Sequence, residues 1–173
     1  MVVVIVGLGA NLPSEHGGPR DTLAIALERL AARGLPLRSR SRWHRSAPVP
    51  PSGQPWFING AAALDTSWPP EAVLHALHAV EAELGRVRSE SERWPPRAVD
   101  LDLLDHAGTV TAADAWPRLP HPRLSERAFV LAPLAELAPD WRHPRTGESA
   151  EALLAGLSAD QICEPAESGV LET

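Results

Sequence analysis

Val2-Val3-Val4-Ile5-Val6-Gly7-Leu8 is the stretch that decides the architecture of this chain. A continuous apolar, β-branched run of this length predicts a strand buried on both faces at the centre of a sheet. Outward from it, leucines recur at helical spacing over residues 21–33 and Gly34 follows. That pattern predicts a helix that ends at the glycine.

The rest of the chain continues the succession of strands and helices. Residues 35–45 alternate so that Arg38, Arg40 and Arg42 share one face of a predicted strand, where solvent is their simplest surrounding. Further strands are predicted over residues 56–66 and 98–104, and helices over residues 69–84, over residues 125–138 with an interruption at Pro133, and over residues 149–157.

This β-α-β-β-α-β order predicts an α+β, ferredoxin-like sandwich, in which helices pack on a mainly antiparallel sheet. Residues 1–158 are expected to form a single domain. Residues 159–173 show no periodicity and are expected to be a poorly ordered tail.

Composition excludes several classes of protein. All 16 basic Lys+Arg residues are arginine, so the chain has neither the Gly-Lys-Ser/Thr of a Walker A loop nor a lysine for a pyridoxal-phosphate Schiff base. The formal charge of -6 argues against non-specific nucleic-acid binding. One cysteine, Cys163, and the lack of an 18-residue apolar run favour a cytoplasmic protein that does not enter a membrane.

Asp100 and Asp102 form the strongest functional pattern. On the predicted strand they share one face, while Leu101 and Leu103 take the other. Same-face neighbours lie roughly 7 Å apart, from a rise of ~3.3 Å per residue. Two carboxylates at that separation can hold one hard cation or a pair of them, and magnesium favours one or two carboxylates together with substrate phosphates.

Arginines precede this pair in one charged, proline-rich segment. Arg86, Arg88 and Arg97 each offer a planar fork that suits phosphate oxygens. Residues 86–96 are predicted to form a mobile loop, and Trp94 within it suggests a lid that closes on a ligand. Together the segment and the carboxylates predict magnesium-assisted phosphoryl chemistry on a nucleotide.

Two pairs on predicted strands have both a functional and a structural interpretation. Gly7 and Gly9 begin a dinucleotide fingerprint that lacks its third glycine, and a tight exit from the strand explains them more simply. Phe57 and Asn59 share one strand face, which suits a flat heterocycle by stacking and hydrogen bonding. A core phenylalanine beside an edge asparagine is the structural alternative.

Two further groups are similarly open. His78 and Glu81 are neighbours on the second predicted helix, where a solvated edge is the simpler interpretation. His121, Arg123, Arg127 and Phe129 bring together basic groups and an aromatic ring, although surface ion pairs would explain them equally well.

Read in order, these patterns resemble the 6-hydroxymethyl-7,8-dihydropterin pyrophosphokinase family of folate biosynthesis. The most specific block is Arg93-Trp94-Pro95-Pro96-Arg97-Ala98-Val99-Asp100-Leu101-Asp102. The other matching stretches are Gly7-Leu8-Gly9-Ala10-Asn11-Leu12, Gln54-Pro55-Trp56-Phe57-Ile58-Asn59, Gly85-Arg86-Val87-Arg88, Pro120-His121-Pro122-Arg123 and Arg127-Ala128-Phe129-Val130-Leu131. Ala10 stands where the family usually has serine.

The resemblance implies that a monomer transfers pyrophosphate from ATP to the pterin hydroxymethyl oxygen and releases AMP. It implies that Asp100 and Asp102 hold two magnesium ions while Arg86 and Arg97 neutralise phosphate charge. It places nucleotide-binding positions at His78, Glu81, Arg88, Trp94, Leu103, His121 and Arg127. It places the pterin site at Ser46, Ala47, Val49, Phe57, Asn59, Trp94 and Phe129.

Two other functions remain open at this point. A nucleotide-sugar glycosyltransferase also uses an Asp-x-Asp motif to hold a cation, but that motif usually sits in a larger chain. A ligand-sensing ferredoxin-like module would need neither a catalytic metal pair nor the arginines, and nucleotide binding by it would not depend on magnesium.

Overall fold

The computed structural model of the protein describes residues 1–85 and 99–166. Its central strand is β1 (Val2–Ala10), as predicted from the apolar run. The other strands are β2 (Leu37–Arg40), β3 (His44–Ser46), β4 (Phe57–Thr66), β5 (Asp100–His106) and β6 (Cys163–Pro165). All pairings are antiparallel, in the order β5-β1-β4-β3-β6, with β2 also beside β4.

Helices cover both faces of this sheet. They are α1 (Pro19–Ala32), α2 (Pro70–Glu83), α3 (Ala128–Leu137) and α4 (Ala150–Ala155). Val4, Val6 and Leu8 of β1 pack into the larger core with α1 and α2, whereas Ile5 packs into a smaller core with α3 and α4. The two cores confirm the predicted ferredoxin-like α+β sandwich and explain why β1 is apolar on both faces.

The helices of the described residues, 1–85 and 99–166, include none with both the length and the apolar character needed to cross a bilayer.

The prediction of one strand over residues 35–45 is wrong. The chain forms β2 and β3 with a break between them, because the Ser41 hydroxyl accepts a hydrogen bond from Ala61 N (3.0 Å) and donates to Arg42 O (2.8 Å). The arginines are exposed, but solvent is not their only surrounding. Arg38 pairs with Asp65, and Arg42 pairs with Glu136.

Helix α3 is continuous through Pro133, so the predicted interruption is also wrong. A proline inside a helix removes one backbone hydrogen bond. Pro133 is buried, and we infer that this apolar burial offsets the loss.

The C-terminal segment corrects the expectation of a poorly ordered tail from residue 159 onward. Residues 163–165 form β6, which pairs with β3, and Ala166 N donates to Trp43 O at 3.0 Å. This order comes from pairing with a strand more than a hundred residues earlier, which no local periodicity can reveal. Residues 167–173 lie outside the described residues.

Gly60 of β4 generates a stability prediction. A Cβ atom added there would lie 2.7 Å from Trp43 Cζ3 and 2.8 Å from Trp43 Cε3. We expect Gly60→Ala to lower the free energy of unfolding by about 1–3 kcal/mol, because overpacking forces the ring or the strand to shift. Urea denaturation measures this, with Gly53→Ala as the control, since a Cβ at Gly53 meets nothing within 4 Å. Equal midpoints for the two variants would contradict the packing argument.

Candidate active site

A cleft of about 450 Å³ opens on the sheet face that carries α3. Its walls come from β1, β4, β5, the segment after β3, the start of α3 and the C-terminal segment. The lining residues are Gly7, Leu8, Gly9, Ala47, Pro48, Val49, Pro50, Ser52, Gln54, Phe57, Asn59, Gly60, Asp100, Asp102, Arg123, Glu126, Arg127, Phe129, Val130 and Gln161.

The register of β1 against β5 forms the floor of the cleft. Gly9 pairs with Asp100 and Gly7 pairs with Asp102, so both carboxylates stand beside positions without side chains. Both aspartates are half-buried, while the intervening Leu101 lies in the larger core on the other face. The predicted sharing of one face by the two carboxylates is therefore confirmed.

Gly7 and Gly9 lie inside β1, which continues to Ala10. The predicted tight strand exit is therefore wrong, and these glycines do not open a helix as a dinucleotide fingerprint requires. A Cβ at Gly9 would lie 3.1 Å from Asn59 Oδ1. Because the two glycines have no side chains, they leave space in the cleft and room for the Asn59 side chain.

Phe57 and Asn59 also face the cleft together. Asn59 is buried and donates from Nδ2 to Ser46 Oγ at 2.6 Å, which fixes the amide within the sheet. Ser46 therefore supports the cleft from behind, and Ala47 and Val49 line it directly. The alternative of a core phenylalanine beside an edge asparagine is wrong.

The loop that carries Gln54 is tied to the end of β1 by hydrogen bonds from Asn11. Asn11 Nδ2 donates to Gln54 Oε1 at 3.1 Å and to Pro55 O at 3.2 Å. Asn11 is buried directly after β1. It therefore links the central strand to the loop that carries Gln54 into the cleft.

Positive charge enters from the start of α3. Arg123 and Arg127 line the same cleft as the two aspartates. The Arg127 guanidinium carbon lies 5.5 Å from the centre of the Phe129 ring, which places the cation and the aromatic face together.

His121 lies beside this group without lining the cleft. Burial lowers the pKa of its imidazole to about 4, and Arg127 adds to that effect while Asp100 opposes it. Arg123 N donates to His121 Nδ1 at 3.2 Å, so the neutral ring carries its proton on Nε2. At neutral pH His121 therefore offers an N–H donor and no positive charge.

Besides His121, three more residues that the resemblance assigns to nucleotide binding do not line the cleft. Glu81 is buried behind β5, where its Oε1 accepts a hydrogen bond from Leu101 N at 3.0 Å. Leu103 is buried in the larger core, and His78 is half-buried on α2. A solvated helix edge is therefore the wrong interpretation for Glu81.

Ala10 is also buried in the larger core, so the missing serine removes no polar group from the cleft.

The remaining predictions fall on residues 86–98, which lie outside the described part of the chain. They are the mobile loop, the lid residue Trp94, and the roles of Arg86, Arg88 and Arg97.

Gln54 and Gln161 are among the lining residues that sequence reasoning missed. Gln54 lies beside the recognisable Trp56-Phe57 stretch, so its place in the matching block was the only available signal. Gln161 carried no signal, because it approaches the cleft only through the pairing of β6 with β3.

The donor set suits magnesium. Asp100 and Asp102 supply hard carboxylate oxygens on one side of an arginine-bearing cleft. Within residues 1–85 and 99–166, no group of three or more His, Cys, Asp or Glu side chains forms a complete metal cage. Two carboxylates that leave room for phosphates and water are the arrangement magnesium favours, whereas a closed structural site needs more protein ligands.

The fold and the cleft define an α+β protein whose cleft carries two aspartates, two arginines and two phenylalanine rings. Residues 5–139 match the family model described as 7,8-dihydro-6-hydroxymethylpterin-pyrophosphokinase. A relative from Pseudomonas aeruginosa, named 2-amino-4-hydroxy-6-hydroxymethyldihydropteridine pyrophosphokinase, is 45% identical to this chain over 146 residues. The match covers 82% of this chain and 83% of the relative. The relative of the same name from Methylorubrum extorquens is 43% identical over 141 residues. That match covers 81% of this chain and 85% of the relative.

The solved HPPK-DHPS triple mutant of Plasmodium falciparum with SDX-DHP has the same fold, with a TM-score of 0.64 at 12% identity. The match covers 89% of this chain and 44% of that longer one. The chain belongs to the 7,8-dihydro-6-hydroxymethylpterin-pyrophosphokinase family. It is therefore a pyrophosphokinase, a diphosphotransferase of folate biosynthesis.

The lowered pKa of His121 predicts a pH dependence of stability. The ordinary value is 6.5 and the folded-state value is about 4, so the unfolded chain takes up the proton first as the pH falls. Folding free energy is therefore lost between those two values, by about 2 kcal/mol from pH 7 to pH 5. We expect His121→Gln to abolish this contribution in urea denaturation at the two pH values. His75→Gln, at an exposed histidine of α2, is the control and should leave the pH dependence as in the wild type. An unchanged pH dependence in His121→Gln would contradict the burial argument.

Proposed function

We propose that this chain transfers pyrophosphate from ATP to the hydroxymethyl group of 6-hydroxymethyl-7,8-dihydropterin, in the presence of magnesium, and releases AMP. One observation carries the proposal: Asp100 and Asp102 open into the same cleft as Phe57 and Asn59. A phosphate site and a ring site must adjoin for a group to pass between their ligands. Family membership supports the same reaction.

The ring side of the cleft suits a pterin. Gly7 and Gly9 contribute no side chains to the floor, so a flat heterocycle can lie close to the strand. Phe57 offers a stacking surface. Asn59 is held by its Nδ2 donation to Ser46, which directs its Oδ1 to accept a ring N–H.

The anionic side suits a nucleotide triphosphate. Asp100 and Asp102 would hold magnesium, which when bound neutralises phosphate charge and aligns the attacking and leaving oxygens. Arg123 and Arg127 line the same cleft and can hold phosphate oxygens. By resemblance we also assign phosphate contacts to Arg86 and Arg97, which lie outside the described residues.

In the reaction the hydroxymethyl oxygen forms a bond to the β-phosphorus of ATP. The bond from that phosphorus to the oxygen bridging the α-phosphorus breaks, and AMP leaves with this oxygen. The arginines stabilise the charge that develops on the phosphates. His121 contributes a neutral hydrogen bond there, since its low pKa keeps the ring uncharged.

We further propose that the enzyme acts as a cytoplasmic monomer on these small molecules, without a nucleic-acid or membrane partner. The single cysteine and the charge of -6 support this setting. A dimer mass from sedimentation equilibrium would contradict the monomer.

Nucleotide products test the reaction and the metal site together. Protein, magnesium, ATP and the pterin should yield AMP, separated by ion-exchange chromatography. We expect Asp100→Asn and Asp102→Asn each to lower the turnover rate by several orders of magnitude, because each removes a charged oxygen from the metal. Asp114→Asn, at an exposed loop carboxylate, is the matched control. Stoichiometric ADP would refute the pyrophosphokinase reaction. Near-wild-type rates for both variants at saturating magnesium would refute the metal site alone.

Phe57 and its neighbour Trp56 provide a second test. Phe57 lines the cleft, whereas Trp56 is exposed with the Arg45 guanidinium 4.5 Å from its ring centre. We expect Phe57→Ala to weaken pterin binding by roughly 1–3 kcal/mol, by analogy with aromatic–base stacking, and to leave ATP binding nearly unchanged. Trp56→Ala should change neither. Calorimetry with each ligand separately measures the dissociation constants of the pterin and of ATP. A loss of affinity for ATP alone would contradict the assignment of Phe57 to the pterin subsite.

A further inference from the structure

Gln161 lies between α4 and β6, and its side chain reaches the wall of the cleft. Its Oε1 accepts a hydrogen bond from Ala128 N at 2.9 Å. Its Nε2 donates to Glu126 O, also at 2.9 Å. One side-chain amide thus uses both its acceptor and a donor on the same short stretch of backbone.

These two contacts fall on either side of Arg127. Glu126 precedes it and ends a 3-10 turn, and Ala128 follows it as the first residue of α3. Ala128 N is one of the helix N–H groups that has no partner within the helix, so Gln161 completes the helix start. Arg127 itself has the extended conformation of a helix cap, with φ -122° and ψ 112°. Gln161 therefore fixes the two peptide groups that set the direction of the Arg127 side chain.

The segment that carries Gln161 is anchored to the opposite wall. Ala47 N donates to Ile162 O at 3.2 Å, and β6 then pairs with β3. Ala47 lines the cleft, as does Gln161. The C-terminal segment therefore spans the distance between the loop after β3 and the start of α3, and it holds one wall at a fixed place relative to the other.

We propose that Gln161 is a positioning residue that acts through Arg127 on the nucleotide. Arg127 lines the same cleft as the two aspartates, and its guanidinium carbon lies 5.5 Å from the centre of the Phe129 ring. A guanidinium group binds phosphate through two parallel N–H donors, so its orientation matters as well as its charge. Binding is therefore tighter when the backbone of the arginine is already held in place before the ligand arrives. This inference rests on the proposed function, because it takes the anionic ligand of Arg127 to be the phosphates of ATP.

A double-mutant cycle tests it. Gln161→Met keeps the volume of the side chain and removes both hydrogen bonds. We expect it to raise the dissociation constant of a non-hydrolysable ATP analogue with magnesium about tenfold, the ratio that a hydrogen bond of ordinary strength corresponds to. The side chain of Gln161→Asn is one methylene shorter and cannot reach both partners. We expect this variant to raise the dissociation constant to a similar extent. Asp160→Asn, at the exposed neighbouring residue, is the matched control and should bind as the wild type does.

The decisive measurement is the same substitution in an Arg127→Ala background. If Gln161 acts through Arg127, Gln161→Met should cause no further loss of binding there. An equal tenfold loss in both backgrounds would overturn the proposal. So would a lower melting temperature with an unchanged dissociation constant, which would make Gln161 a helix cap only. Wild-type AMP formation is measured alongside, so failure of the proposed reaction is distinguished from failure of the positioning role.

Discussion

Antiparallel pairing of β1 with both β4 and β5 is the constraint on which the site depends. Nine consecutive residues of β1 pair with β4, and the pairing with β5 brings Gly7 and Gly9 opposite the two aspartates. A slip of one residue would turn Val4, Val6 and Leu8 out of the larger core. The apolar burial of those side chains therefore also holds the carboxylates, Asn59 and the glycines on one face.

β5 is an edge strand, and edge strands present unpaired backbone groups. Glu81 supplies an acceptor for Leu101 N, which lies between the two aspartates. A buried carboxylate from α2 thus braces from behind the strand segment that bears the proposed metal site. This structural contact is distinct from the nucleotide role that the resemblance assigns to Glu81.

The cleft is built from segments that are distant from one another in the chain. Its floor comes from β1 and β5, its ring-binding side from β4 and the loop after β3, and its positive wall from the start of α3. The C-terminal segment joins the last two through Gln161 and Ile162. The backbone on either side of Arg127 is thus held by a stretch without any secondary-structure periodicity of its own.

Much of this could be predicted from the sequence, because it follows from local chemistry. The buried strand of residues 2–8, the helices and the faces of Asp100/Asp102 and Phe57/Asn59 follow from side-chain periodicity, which acts over a few residues. The block around Asp100 also identified the family, because its arginines, prolines and carboxylates recur at fixed spacing. Leu103, by contrast, lies in the core, as the same alternation requires.

Tertiary structure alone decided the rest. Ser41 breaks the predicted strand of residues 35–45 because it meets Ala61 of another strand. Pro133 stays inside α3, where it is buried. Residues 163–165 become a strand only through β3, and Gln161 reaches the backbone on either side of Arg127 only as a result. Each outcome depends on a partner remote in the chain, and such contacts leave no periodic pattern in the residues that make them.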